Sequence, residues 1–275
     1  MQHFLTDDGE HIHVHISGDG VPLVLLHGWT ASHVEWSMFL RGLNPHYQLY
    51  RWDARAHGGY ALHGSEPPSV ARMARDLQNM LDHYQLDKAC ILGHSMGALT
   101  LWQYIQDFGT ARISKAIFID QSPRLVTDQQ WKLGIYGEFD EARSAKFIAE
   151  LEDDFAEAVL RLIAYGRNQR AREEYLADTP AWQRTREQFR KLRPAPLIEI
   201  WKSLTAADYR PVLPKIDVPT LLLFGGLSNF YTPETAEYVR RHIPDPRLLI
   251  YEGEDHSPHM WQRDRFIADL RAFLG

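Results

Sequence analysis

The stretch ACILGHSMGALTLWQYIQDFG, residues 89–109, decides the fold. Its first four residues form a short apolar run that ends at a glycine, which predicts a buried strand over 89–92. Further on, Leu101, Tyr104, Ile105 and Phe108 recur at helical spacing until Gly109 stops them, which predicts a helix. Between the two lies Gly93-His94-Ser95-Met96-Gly97, a G-x-S-x-G sequence at a strand-to-helix junction. A nucleophile at the tip of so sharp a turn sits in strained backbone geometry, and side chains flanking it would clash, hence the glycines. The same turn aims the Met96 N–H and the helix N-terminus at an incoming oxyanion.

The pattern repeats outward from this point. Val21–Leu26 and Tyr47–Asp53 read as buried strands, and Ile113–Ile119 as the next one after the elbow helix. His11–Ser17 alternates behind the turn signal Asp7-Asp8-Gly9, so it reads as half of a hairpin. From Val70, the residues Met73, Leu77, Met80, Leu81 and Tyr84 keep a helical spacing behind Pro67, Pro68 and a cap at Ser69. Strands alternating with helices imply parallel crossovers. The expected fold is α/β, with a mostly parallel central sheet and helices on both faces.

From about 123 to 204 the alternation stops. Charged, aromatic-bearing helical stretches over 138–162 and 170–176 are followed by Trp182, Phe189, Pro194 and Pro196. A strand over 220–224, the helix Pro233–His242, the strand Arg247–Tyr251 and a terminal helix over 260–274 then resume the core pattern. The reading is a core of 1–122 and 205–275 with an inserted helical cap, 123–204.

Composition narrows the class. The 275 residues are 44% apolar and 24% charged, an ordinary globular mix. Thirty Lys and Arg face 36 Asp and Glu, for a net charge of −6 with no basic stripe, so no nucleic-acid partner is expected. The longest apolar run is far too short to span a bilayer, so no membrane insertion is expected. Cys90 is the only cysteine, and the N-terminal segment lacks a basic stretch followed by an apolar one. A cytoplasmic location is the expectation.

With these elements in place, the chain resembles the α/β-hydrolase fold family. The resemblance puts Ser95 as the nucleophile and His27-Gly28-Trp29 as the second oxyanion element, with the Trp29 N–H paired to the Met96 N–H. It selects His256, in Gly253-Glu254-Asp255-His256, as the base over His259, because the family's G-x-x-H puts the base three residues after the glycine. Asp53-Ala54-Arg55-Ala56-His57-Gly58 resembles the family's D-x-R-G-H-G loop, with alanine in place of the first glycine; Asp53 and Arg55 read as structural. The departure lies after the strand 220–224. There the family usually places an orienting aspartate, whereas Gly225-Gly226-Leu227-Ser228-Asn229-Phe230-Tyr231 holds no carboxylate, and Ser228 occupies the place. Asp120, just past Ile113–Ile119, is the acid expected instead, as in some family members; its alternative role is a helix cap. Glu252 and Glu254 are reserves.

The implied function is a serine hydrolase cleaving an ester or related acyl bond of a small, apolar substrate through an acyl-enzyme, with no cofactor and no metal. The same constellation leaves open a perhydrolase or haloperoxidase-like activity, a ring-cleaving dioxygenase, a C–C bond hydrolase, and a non-catalytic ligand receptor on this fold. Trp29, His94, Tyr136 and Trp182 are expected to line the substrate pocket, although the Trp29 side chain can equally be a packed aromatic.

Overall fold

The computed structural model describes residues 2–275. Eight strands form one sheet: β1 Gln2–Leu5, β2 His11–Ser17, β3 Val21–Leu26, β4 Tyr47–Asp53, β5 Ala89–His94, β6 Ile113–Ile119, β7 Thr220–Gly225 and β8 Arg247–Tyr251. Their order is β1-β2-β4-β3-β5-β6-β7-β8. The β1–β2 and β2–β4 pairs are antiparallel, and every other pair is parallel.

The central strands read as unbroken apolar runs because both of their faces are covered. Alternate residues go to opposite sides. Val24, Leu26, Ile91, Phe118, Leu222 and Phe224 join one core with residues of the helices Val70–His83, Met96–Phe108 and Pro233–His242. Leu23, Leu25, Leu92, Ile117, Ile119, Leu221 and Leu223 join the other, with Trp36, Phe39, Phe266 and Leu270. The helix Val70–His83 starts where Ser69 caps it, the side chain accepting from the Arg72 N–H at 3.1 Å.

Between β6 and β7 the chain builds a block of five helices: Glu141–Asp153, Phe155–Ala164, Gln169–Leu176, Pro180–Phe189 and Pro194–Ala206. It enters and leaves this block side by side, with Arg124 bridged to Asp208 and the Tyr209 N–H donating to the Pro123 carbonyl. The last helix thus runs past residue 204. The single helix expected over 138–162 is two, because Asp154 leaves helical geometry (φ −140°, ψ 92°) and its carboxylate caps the second by accepting from Glu157 N–H. The terminal helix expected over 260–274 likewise breaks at Gln262, with Arg263–Leu274 as its main part.

Candidate active site

The parallel strands deliver their C-terminal ends to one edge of the sheet, where ligands of open α/β sheets bind. Four non-glycine residues of positive φ follow four neighbouring strands there: Thr30 after β3, Ala56 after β4, Ser95 after β5 and Asp120 after β6. Backbone strain of this kind persists only where the surroundings over-determine it, and it clusters at functional sites.

Ser95 (φ 52°, ψ −114°) sits directly between β5 and the helix Met96–Phe108. Close packing makes the glycines obligatory. A Cβ on Gly93 would lie 2.4 Å from the Gly97 carbonyl oxygen, and one on Gly97 would lie 2.2 Å from that of Leu26. The Ser95 N–H donates to the Ile119 carbonyl at 3.2 Å, tying the elbow to β6. Met96 opens the helix, so its N–H belongs to the first turn, which has no intrahelical acceptor.

His256 lies in the loop after β8, and its Nδ1 is 2.6 Å from Asp120 Oδ2. Asp120 is fully buried and does not cap a helix. Its Oδ1 accepts from the Gly225 N–H at 3.0 Å and its Oδ2 from the Ser228 hydroxyl at 2.6 Å. The serine at the place of the missing carboxylate therefore supports the carboxylate that is present. Among the reserves, Glu254 is engaged by Gln262 Nε2. Ser95, Met96, Trp29 and His256 all border one cavity of about 850 Å³. Its walls are largely apolar, formed by side chains such as Leu99, Ile135, Val159, Leu162, Phe189 and Trp201.

Two expected pocket residues lie elsewhere. Tyr136 is not on the cavity wall; it hydrogen-bonds the Leu162 carbonyl and packs against Phe139 and Phe230. Trp182 packs with Leu160 and Ala164 and borders a smaller cavity of about 320 Å³. Trp182 faces a neighbouring helix of the block, and Tyr136 sits in a short turn before the block against the loop after β7, placements that aromatic content alone does not reveal. Trp29 does both things foreseen for it: it borders the cavity, stacks obliquely on Trp201 and donates from Nε1 to the Leu197 carbonyl. His94 borders the cavity with both ring nitrogens engaged, Nδ1 with Glu35 and Nε2 with the His256 carbonyl.

The loop after β4 is a scaffold. Arg55 spans Asp76 and Asp8, with Nε–H to Asp76 at 2.6 Å, while Asp53 accepts from the His33 N–H at 2.8 Å. Sequence reasoning missed Glu35, a buried carboxylate whose Oε2 accepts the Gly28 N–H at 2.9 Å. Its only signal was an acidic residue set between Val34 and Trp36. Among the described residues two groups have metal-like spacing, His15–His33–Asp53 and Glu35–His94–His259. In the first, the His15 and His33 rings are stacked in parallel 3.5 Å apart, so their in-plane lone pairs do not converge on one ion. In the second, each facing atom already takes part in a hydrogen bond.

Comparison with known proteins agrees with this architecture. The chain is 26% identical over 267 residues to a pimeloyl-[acyl-carrier protein] methyl ester esterase of Vibrio vulnificus, covering 96% of this chain and 98% of that one. An esterase from Exiguobacterium antarcticum superposes with a TM-score of 0.84 at 22% identity, covering 99% of this chain and 98% of that one. A bromoperoxidase from Bacillus anthracis superposes with a TM-score of 0.85 at 21% identity, covering 99% of each chain. The profile of the alpha/beta hydrolase fold matches residues 21–262. With eight strands in this order, a strained serine after β5 and a match over most of its length, the chain belongs to the alpha/beta hydrolase fold family.

Proposed function

We propose that the protein is a serine esterase that removes a small alcohol, methanol in the simplest case, from an ester at the end of an apolar acyl chain. The observation that carries this reading is the 2.6 Å contact between His256 and the buried Asp120 at the cavity that Ser95 also borders. Asp120 fixes the tautomer with Nδ1–H, leaving Nε2 free to take the Ser95 proton. Ser95 Oγ attacks the carbonyl carbon, and the resulting oxyanion is held by the Trp29 and Met96 N–H groups, each worth about 10²–10³-fold in rate. Collapse expels the alcohol with the proton from His256. Water, deprotonated by the same histidine, then releases the acid from Ser95.

The helical block acts as a cap and supplies the apolar wall, so it sets acyl preference. Among the described residues no lysine or arginine borders the cavity, and the one carboxylate there, Glu35, is engaged in hydrogen bonds. An uncharged chain suits such a wall. The methyl ester esterases among the relatives support the small leaving group.

The test is hydrolysis of a series of methyl esters of increasing chain length by the wild type and Ser95→Ala. Turnover that rises with chain length, and falls by at least about 10³-fold in Ser95→Ala, is the expected result. A Ser95→Ala enzyme within tenfold of wild type refutes the nucleophile, and activity confined to charged short acids refutes the acyl class.

A further inference from the structure

Glu35, His94 and His259 form a buried group between the elbow and the loop that carries His256. Glu35 Oε1 lies 2.8 Å from His94 Nδ1 and 3.2 Å from His259 Nε2, and Oε2 accepts the Gly28 N–H at 2.9 Å. The second nitrogen of His94, Nε2, is 3.0 Å from the His256 carbonyl oxygen. A carbonyl oxygen only accepts, and so does an ionised carboxylate. With Glu35 ionised, both nitrogens of His94 carry protons and the ring is an imidazolium.

Two neighbours provide an internal contrast. His27 donates from Nδ1 to the Gly28 carbonyl at 2.8 Å and accepts at Nε2 from the Ala54 N–H at 3.1 Å. His57 donates from Nδ1 to the Arg55 carbonyl at 3.0 Å and accepts at Nε2 from the Thr30 N–H at 3.3 Å. One acceptor and one donor face each of these rings, so both are neutral. Of these three rings, His94 alone has an acceptor on either side.

We propose that Glu35 and His94 form a buried carboxylate–imidazolium pair that positions the two halves of the site at once. Glu35 holds the Gly28 N–H, and with it the adjoining Trp29 N–H; His94 holds the His256 backbone. This rests on the esterase reading of Ser95 and His256, and it makes Glu35 and His94 positioning residues that do not touch the reacting atoms. Three N–H donors converge on Glu35, the pattern that stabilises a carboxylate. The groups facing His94 are Glu35, Asp120, His256 and His259. Burial alone would lower His94, but Glu35 beside it raises it above the ordinary imidazole range. Burial would raise Glu35, yet His94 and His259 hold it well below the usual carboxylate range. His259, lowered by burial to about 4, stays neutral.

Nitrogen-15 NMR of histidine-labelled protein reads the proposal without any turnover, so its outcome is separate from the fate of the nucleophile. The expected spectrum at pH 8 shows one imidazolium with two protonated nitrogens, lost in His94→Asn. A His94 with one protonated nitrogen, the mark of a neutral ring beside a protonated Glu35, overturns the pair. Glu35→Gln keeps the shape but offers an amide NH₂ where an acceptor is needed. Its kcat should fall about 10- to 100-fold with KM within about twofold, the signature of a displaced transition-state donor. An unchanged kcat, or a change in KM alone, overturns the positioning role. Should the variant fail to fold, the wild-type spectrum still decides. Stoichiometric Zn²⁺ uptake that His94→Asn abolishes would make the group a metal site and likewise overturn the pair.

Discussion

Replacing Asp120 with asparagine removes one charge and almost no volume, so its effect can be worked from the contacts. In wild type the buried carboxylate receives three donors: the Gly225 N–H at 3.0 Å, the Ser228 hydroxyl at 2.6 Å and His256 Nδ1–H at 2.6 Å. In Asp120→Asn, the amide oxygen stays with the Gly225 N–H, which fixes the NH₂ group at the place of Oδ2. The Ser228 hydroxyl can rotate and accept from it. His256 cannot keep a proton on Nδ1 facing an NH₂ group, so its proton moves to Nε2, the nitrogen that takes the Ser95 proton in the proposed mechanism. The wrong tautomer costs about 10⁴-fold in kcat in a triad of this kind, or about 5.4 kcal/mol at 1.36 kcal/mol per decade. The assay is methyl-ester hydrolysis followed by pH-stat, with thermal unfolding to show that the variant is folded. Because Ser228 reaches the same carboxylate oxygen as His256, adding Ser228→Asp to Asp120→Asn should restore activity by at least about tenfold. A folded Asp120→Asn enzyme within tenfold of wild type would refute the reasoning.

Three more outcomes follow from the structure. His57 and His259 are fully buried, and burial lowers them to about 3 and about 4. The unfolded chain binds protons on them from about pH 6.5 downward, so stability is lost as pH falls through that window. At pH 5.5 the loss is about 1.4 kcal/mol for each, roughly 5–10 °C in Tm for the pair, and His57→Gln should flatten the slope. His94, raised by Glu35, works in the opposite direction, so the comparison is with the variant: the same pH dependence of Tm between 7 and 5.5 in wild type and His57→Gln contradicts this. Ala56→Gly relieves a left-handed alanine (φ 67°), and thermal unfolding should show a change between neutral and about +1 kcal/mol, since the entropy of the new glycine offsets part of the relief. Trp201→Ala enlarges the cavity wall beside Trp29 and should shift the optimum of the ester series to longer chains, at a stability cost of about 3–5 kcal/mol.

The core was legible because its signals are local. Strands buried on both faces leave unbroken apolar runs, and the two glycines around Ser95 mark a turn where any Cβ would strike backbone. Asp120 was named because the family resemblance calls for an acid, the segment 225–231 offers no carboxylate, and some family members carry it after the preceding strand; its contact with His256 spans 136 residues of sequence. The helical block was legible as helices but not as a wall. Trp182 and Phe189 stand seven residues apart on one face of the helix Pro180–Phe189, yet Phe189 borders the larger cavity and Trp182 the smaller, so the seating of the helix decides and not its periodicity. Asp154 shows the limit of periodicity, because one capping residue splits an apparently continuous pattern without interrupting its spacing. Glu35 was hidden for another reason. Its partners His94 and His259 lie 59 and 224 residues away, and only the closed fold brings them within hydrogen-bonding reach.

The most direct test of the central claim is labelling with a fluorophosphonate, with mass mapping of the adduct and turnover of a methyl ester measured on the same preparation. The account predicts a single adduct on Ser95 whose formation abolishes hydrolysis in proportion. Hydrolysis that persists after full labelling, or an adduct on another residue that tracks the loss of activity, would contradict it.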